Sequence, residues 1–219
     1  MRKTYDMTKG KIWSTILSFS LPLLGASLIQ QLYNTADMIF VGNFLGKEAT
    51  GAVGASSLLF TCIIGLFTGV SIGVGVAVAQ RIGSKDYDIA SKVSHTAITF
   101  GIFGGIILTI LGYFLAEFLL NIMKTPKEIM PDSVIYLKVY FLSMLPMILY
   151  NIGAGIIRST GNSKTPFYIL IIGGITNVLA NYFFIVILKK GVLGVAIATT
   201  LSQTLTAFIV LSYLFKNKT

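Results

Sequence analysis

The sequence predicts an all-α membrane protein of six transmembrane helices, and three observations carry that reading. Hydrophobic residues make up 54% of the 219 and charged residues only 11%, against about 25% charged in soluble domains. The mean hydropathy is +0.82. Apolar stretches long enough to cross ~30 Å of hydrocarbon, about 20 helical residues each, recur along the whole chain. The 22 glycines are spread through these runs, where small residues let helices approach closely.

The segment Met1–Lys11 is polar and basic, and the apolar run behind it is too long for a signal-peptide core, so it reads as a cytoplasmic lead-in to an uncleaved span. The predicted spans are Ile12–Phe40, Gly51–Ala79, Val93–Leu120, Val134–Ile157, Phe167–Leu188 and Val192–Phe215. The breaks between them carry turn chemistry or charge: Gly42-Asn43 to Glu48, Arg81 to Lys92, Lys124 to Asp132, Arg158 to Pro166, and Lys189-Lys190-Gly191. With the amino terminus inside, 11 of the 17 basic residues fall on the cytoplasmic side, which the positive-inside rule favours. The short loops leave no room for a soluble catalytic domain. The expected organisation is therefore a cytoplasmic segment, 1–11, and one membrane bundle, 12–219.

Composition and residue sets exclude several function classes. The net charge of +9 sits between hydrophobic segments, as topology signals do, and no basic helix with interleaved aromatics suggests nucleic acid. One cysteine, Cys62, rules out an intramolecular disulfide and reads as a small packing residue. No nucleophile–base set, catalytic carboxylate pair or metal-ligand spacing appears, so no enzyme and no cofactor are expected. His95 and Trp13 read as an interfacial structural residue and an interfacial anchor. The run Gly65, Gly69, Gly73, with Gly75 beyond, and the set Gly101, Gly104, Gly105 read as close helix packing.

Against this background Asp37 stands out. Every other acid lies near the end of a hydrophobic run, whereas Asp37 sits inside the first one. A carboxylate at membrane depth costs roughly 2.5–3.5 kcal/mol on insertion scales unless it is solvated or neutralised. Two readings stand: a cation- or proton-binding group, or the outer end of a shorter first helix. Gln30, Tyr33, Asn34 and Asp37 follow i, i+3, i+4, i+7 and share one helical face. Pro22 earlier in the span removes a backbone hydrogen bond and predicts a bend. Asn177 and Asn181 are one turn apart in the fifth span, Thr199 and Gln203 in the sixth, with Ser202 beside them. Tyr136 and Tyr140 lie in the fourth. Amide, hydroxyl and carboxylate oxygens suit a hard cation such as Na⁺, and the same carboxylate can take a proton. Residue types alone leave both ions open.

The segment Leu21-Pro22 … Gln31-Leu32-Tyr33-Asn34-Thr35-Ala36-Asp37-Met38-Ile39-Phe40-Val41-Gly42 … Gly46 resembles the opening helix of the MATE (multidrug and toxic compound extrusion) transporters. Arg158-Ser159-Thr160-Gly161-Asn162-Ser163-Lys164-Thr165-Pro166 resembles the family's inner loop between helices four and five, and Gly194-Val195-Ala196-Ile197-Ala198-Thr199 the start of its sixth helix. The likeness runs from about Lys9 to the last residue and covers the amino-terminal six-helix lobe only.

The resemblance implies a Na⁺- or H⁺-coupled antiporter in the cell membrane. Such a protein exports organic, cationic or amphipathic compounds and rocks two lobes around a central cavity. It also implies a cation or proton site at Asp37, with Asn34, Tyr136 (less surely Tyr140), Asn177, Asn181 and Thr199. Gln30, Tyr33 and Gln203 are the substrate-cavity candidates, and Asp37 is the candidate Na⁺ ligand. Many relatives carry Asp where Asn181 stands, so a two-carboxylate site becomes a one-carboxylate site here.

The expectation is a piece of a two-lobed protein; the alternative is a product that pairs with a second lobe, its own copy included. The expected partners are the lipid bilayer and small organic substrates. Two competing functions are a flippase for lipid-linked or polysaccharide substrates, which would line its cavity with Arg or Lys, and a membrane scaffold that does not transport.

Overall fold

A computed structural model describes residues 12–217, apart from the side chains of Leu58, Leu59 and Asn217. The segment 1–11 and residues Lys218 and Thr219 therefore lie outside the described residues. Among the described residues there are seven α-helices: α1 (Ile12–Phe44), α2 (Gly46–Gly83), α3 (Tyr87–Ile122), α4 (Met130–Leu142), α5 (Met144–Ser159), α6 (Lys164–Asn181) and α7 (Gly191–Asn217). A π-helical segment, Tyr182–Ile187, extends α6. Five of these units are long and apolar enough to cross a membrane, and α4 with α5, bent by 44° where they join, are long and apolar enough only as a pair.

The helices overrun the predicted spans. The first break is not a loop, because Gly42, Asn43, Lys47 and Glu48 are all helical. The chain turns instead at Leu45 and Gly46, where the Leu45 N–H closes on the Val41 carbonyl and Gly46 adopts φ +85°. That left-handed backbone suits glycine and ends α1 in one step. α1 also continues nearly two turns beyond Asp37 and runs through Pro22 without ending. Asp37 is thus not the terminus of a short helix.

The fourth span breaks where the sequence expectation had one helix. Pro146 lacks an N–H, and its ring clashes with the carbonyl four residues earlier, that of Leu142. Ser143 takes up the discontinuity: its N–H and hydroxyl both donate to the Tyr140 carbonyl, at 2.9 and 2.6 Å.

α5 is the centre of the bundle, packed by α2, α3 and α7, and most of its residues are buried. Two apolar clusters fill the interior. One gathers Val41, Phe60, Leu120, Leu137, Phe141, Met144 and Val195; the other gathers Phe67, Ile148, Ile152, Ile156, Ile169 and Val210. Glycines set the closest approaches. A Cβ on Gly101 would overlap Ile152, on Gly105 Leu145, on Gly112 Phe141, on Gly153 Val210 and on Gly173 Thr206.

The glycines of α2 behave otherwise. Gly65, Gly69 and Gly73 are exposed and would meet nothing with an added Cβ, and only Gly75 faces backbone, at Gly155. The packing expected of that run is therefore absent within this lobe. Cys62, on the same helix, is exposed rather than packed. Large apolar side chains cover the outer surface, including Leu24, Leu28, Leu32, Phe103, Phe114 and Phe208, as the bilayer solvent allows.

Candidate functional site

Three helices bring their polar residues to one buried point. On α1 the buried residues are Tyr33, Asp37 and Val41, each four apart, a seam that faces α6. On α6 the matching seam is Gly173, Asn177 and Asn181. α7 contributes Thr199, Ser202 and Thr206, all buried. Gly173 makes the assembly possible, since α7 lies against it so closely that a Cβ would strike Thr206.

The two carboxylate oxygens of Asp37 accept from different helices. Oδ1 accepts from Asn181 Nδ2 at 2.5 Å, and Oδ2 accepts from Thr199 Oγ1 at 3.3 Å. Asn181 Nδ2 also donates to Asn177 Oδ1 at 3.1 Å. One turn away, the Tyr33 and Ser202 hydroxyls hydrogen-bond to each other, and Ser202 donates to the Thr199 carbonyl at 2.9 Å. Asp37 is only 7% exposed, Asn177 and Asn181 not at all. Two atoms of the cluster have no hydrogen-bond partner, Asn181 Oδ1 and Asn177 Nδ2. Buried polar atoms without partners are costly, so this pocket holds polar capacity that the protein alone does not use.

The chemistry of the donor set is narrow. Within reach stand carboxylate, amide and hydroxyl oxygens, the ligands of a hard monovalent or divalent cation. No group of three or more His, Cys, Asp or Glu side chains occurs among the described residues, so Asp37 is a lone carboxylate in an amide cage. The hydrogen bonds to it come from neutral groups alone.

Sequence-predicted residues divide three ways. Asp37, Asn177, Asn181 and Thr199 converge. Tyr136 is buried beside them but packs with Phe60 and Tyr140, ring to ring, with centroids 5.9 and 5.8 Å away; Tyr140 stacks on Phe60. Gln30 and Asn34 lie on the exposed side of α1, and Gln203 is half-buried. Asn34 stands three positions before Asp37 on α1 but is exposed, because the seam that α6 covers follows i, i+4 through Tyr33 and leaves Asn34 on its flank. Tyr33, expected to line a cavity, is instead buried and tied to Ser202. Ser202 is a partner that sequence reasoning had not placed in the site; its position three residues after Thr199 on a helix was the available signal.

The MatE family model matches residues 22–183. The chain belongs to the MatE family. Among curated MATE relatives, it is 30% identical to the probable multidrug resistance protein YpnP of Bacillus subtilis, over 99% of this chain and 48% of the relative. It is 31% identical to the probable multidrug resistance protein YoeA of the same organism, over 98% of this chain and 47% of the relative. Among solved structures, an outward-facing conformation of a multidrug resistance MATE family transporter of the MOP superfamily superposes with a TM-score of 0.92 at 28% identity, covering 100% of this chain and 48% of that one. The chain thus spans about half the length of the MATE proteins it matches. Family and fold agree with the membrane reading: this is a multi-pass α-helical membrane protein of a transporter family.

Proposed function

We propose that residues 12–219 form the first six-helix lobe of a Na⁺- or H⁺-coupled exporter of organic cationic or amphipathic compounds, with Asp37 as the group that takes the coupling ion. The segment 1–11 is cytoplasmic in this reading, the protein resides in the cell membrane, and a second six-helix lobe completes the cavity.

One observation carries the proposal: a carboxylate in mid-helix, 7% exposed, whose hydrogen-bond partners are an amide and a hydroxyl rather than a cationic side chain. A structural acid at this depth would be neutralised by a fixed Lys or Arg, since a buried charge without a counter-charge is strongly destabilising. Neutral dipoles hold Asp37 in place and leave its charge to be met by something mobile. The partnerless Asn181 Oδ1 supports this, because turning that amide over presents an oxygen to an ion beside Asp37. Exposed Gln30 and Asn34, with half-buried Gln203, are the polar groups left to line the substrate cavity with the second lobe.

The test uses the protein as its gene encodes it, in membrane vesicles. Efflux of a fluorescent organic cation is followed under an imposed Na⁺ gradient and, separately, a pH gradient. One gradient drives efflux, and Asp37→Asn reduces it to background at an unchanged amount of protein in the membrane. Gradient-driven efflux that survives Asp37→Asn would overturn the assignment.

A further inference from the structure

A cleft lies at the opposite end of the bundle from Asp37. This cleft, of about 300 Å³, is lined by Ser91, Ser94 and His95 of α3, with Ile98 above them, by Ile156 of α5, and by Leu214 and Phe215 of α7. Its shape follows from the packing. α5 touches both α3 and α7, whereas α3 and α7 do not pack on each other among the described residues. The result is a groove with α5 as its floor, open sideways at exposed His95 and Phe215.

The groove is amphipathic along its length. Ile98, Ile156 and Leu214 make an apolar wall on the membrane side. Ser91, Ser94 and His95, at i, i+3 and i+4 on α3, line its mouth. Two exposed cations are chain neighbours of its lining residues: Lys92 follows Ser91 and stands three positions before His95 on α3, and Lys216 follows Phe215 on α7. Arg81, Lys85, Arg158 and Lys164 belong to the same end of the bundle, and the acids there among the described residues are Asp86 and Asp88. Asp86 is already engaged, accepting from the Ile89 N–H at 3.3 Å as the α3 cap.

We infer that this groove binds an anionic phospholipid, with an acyl chain along Ile98, Ile156 and Leu214 and the phosphate at the Ser91–His95 mouth within reach of Lys92 and Lys216. Basic pockets between transmembrane helices on the cytoplasmic side are suited to such head groups, and this is the end that the positive-inside rule assigns to the cytoplasm. Long Lys and Arg side chains reach the head-group layer from helix ends while their stems stay on apolar surface. The inference does not depend on the coupling role of Asp37.

The experiment measures lipid retention by native mass spectrometry and the thermal midpoint of the detergent-purified protein. The probes are phosphatidylglycerol, phosphatidylcholine of the same chains, and inorganic phosphate. Phosphatidylglycerol is expected to be retained and to raise the midpoint, and the other two are not. Each lost cation weakens binding about fivefold, so Lys92→Gln with Lys216→Gln lowers affinity about 25-fold. Ile98→Trp, which fills the groove, removes retention while the lipid-free midpoint stays within a few degrees. Equal retention of phosphatidylcholine, the same shift with inorganic phosphate, or unchanged affinity in the double charge variant would each overturn the inference. The charge variants alter exposed residues only and decide the matter even if Ile98→Trp fails to fold.

Discussion

Asn181 Nδ2 donates to Asp37 Oδ1 at 2.5 Å, tying the fifth span to the first across 144 positions of the chain. This bond sets how the carboxylate is presented, and it comes from a neutral amide. A hydrogen bond to a charged group contributes roughly 1.5–3 kcal/mol. Asn181→Leu is therefore expected to lower stability by about that amount, read as a fall in the detergent thermal midpoint, and to impair gradient-driven efflux as well. A variant as stable as the parent would mean the bond does not form.

Replacing the acid itself should act in the opposite direction on stability. Asp37→Asn keeps the shape and removes the buried charge, and a desolvated charge costs more than an amide with the same neighbours. The thermal midpoint is expected to stay level or rise while coupling disappears. A midpoint several degrees lower would instead mark Asp37 as a structural anchor.

Asn181→Asp restores a second carboxylate within hydrogen-bond reach of the first. Two like charges in one buried pocket cannot both ionise freely, so the pair is expected to take up an additional proton or cation. The measurement is ion stoichiometry, from the gradient size at which efflux reverses. The same stoichiometry in both forms would show that position 181 does not touch the ion.

Glycine positions give a paired test of the packing. Gly112→Ala places a Cβ into the Phe141 ring, whereas Gly69→Ala meets open space. Overpacking costs typically about 1–3 kcal/mol, so Gly112→Ala lowers the midpoint and Gly69→Ala leaves this lobe unchanged. If Gly69→Ala instead abolishes export without changing stability, the open glycine face of α2 works against a second lobe.

Pro146→Ala is expected to straighten the fourth span. It supplies the missing N–H to the Leu142 carbonyl and removes the ring clash that accompanies the 44° bend. Spin labels placed either side of Ser143 should then sit farther apart. An unchanged separation would assign the bend to packing around α5 rather than to proline.

Much of this was legible in the chain. Six apolar stretches announce the spans, because hydrocarbon demands long runs without charge. Asp37 announces itself because no other acid lies so far inside one. The break at Pro146 was also written in the sequence, but it hides within an apolar run that hydropathy alone reads as continuous. The glycines misled more deeply. Gly101 and Gly65 look alike in sequence, yet the first meets Ile152 and the second meets nothing, since glycine records that close approach is allowed and not that a neighbour is present.

What the sequence determined by itself was the class, the apolar runs long enough to span a membrane and the polar residues retained inside them. It did so because the bilayer penalises polar groups strongly enough that each one retained is conspicuous. Only the tertiary structure decided which of them meet. The α1 face holds Gln30, Tyr33, Asn34 and Asp37 within one arc, and the direction from which α6 and α7 arrive buries Tyr33 and Asp37 while leaving Asn34 and Gln30 outside. That direction is a property of how whole helices pack around α5, and periodicity within a single helix carries no record of it.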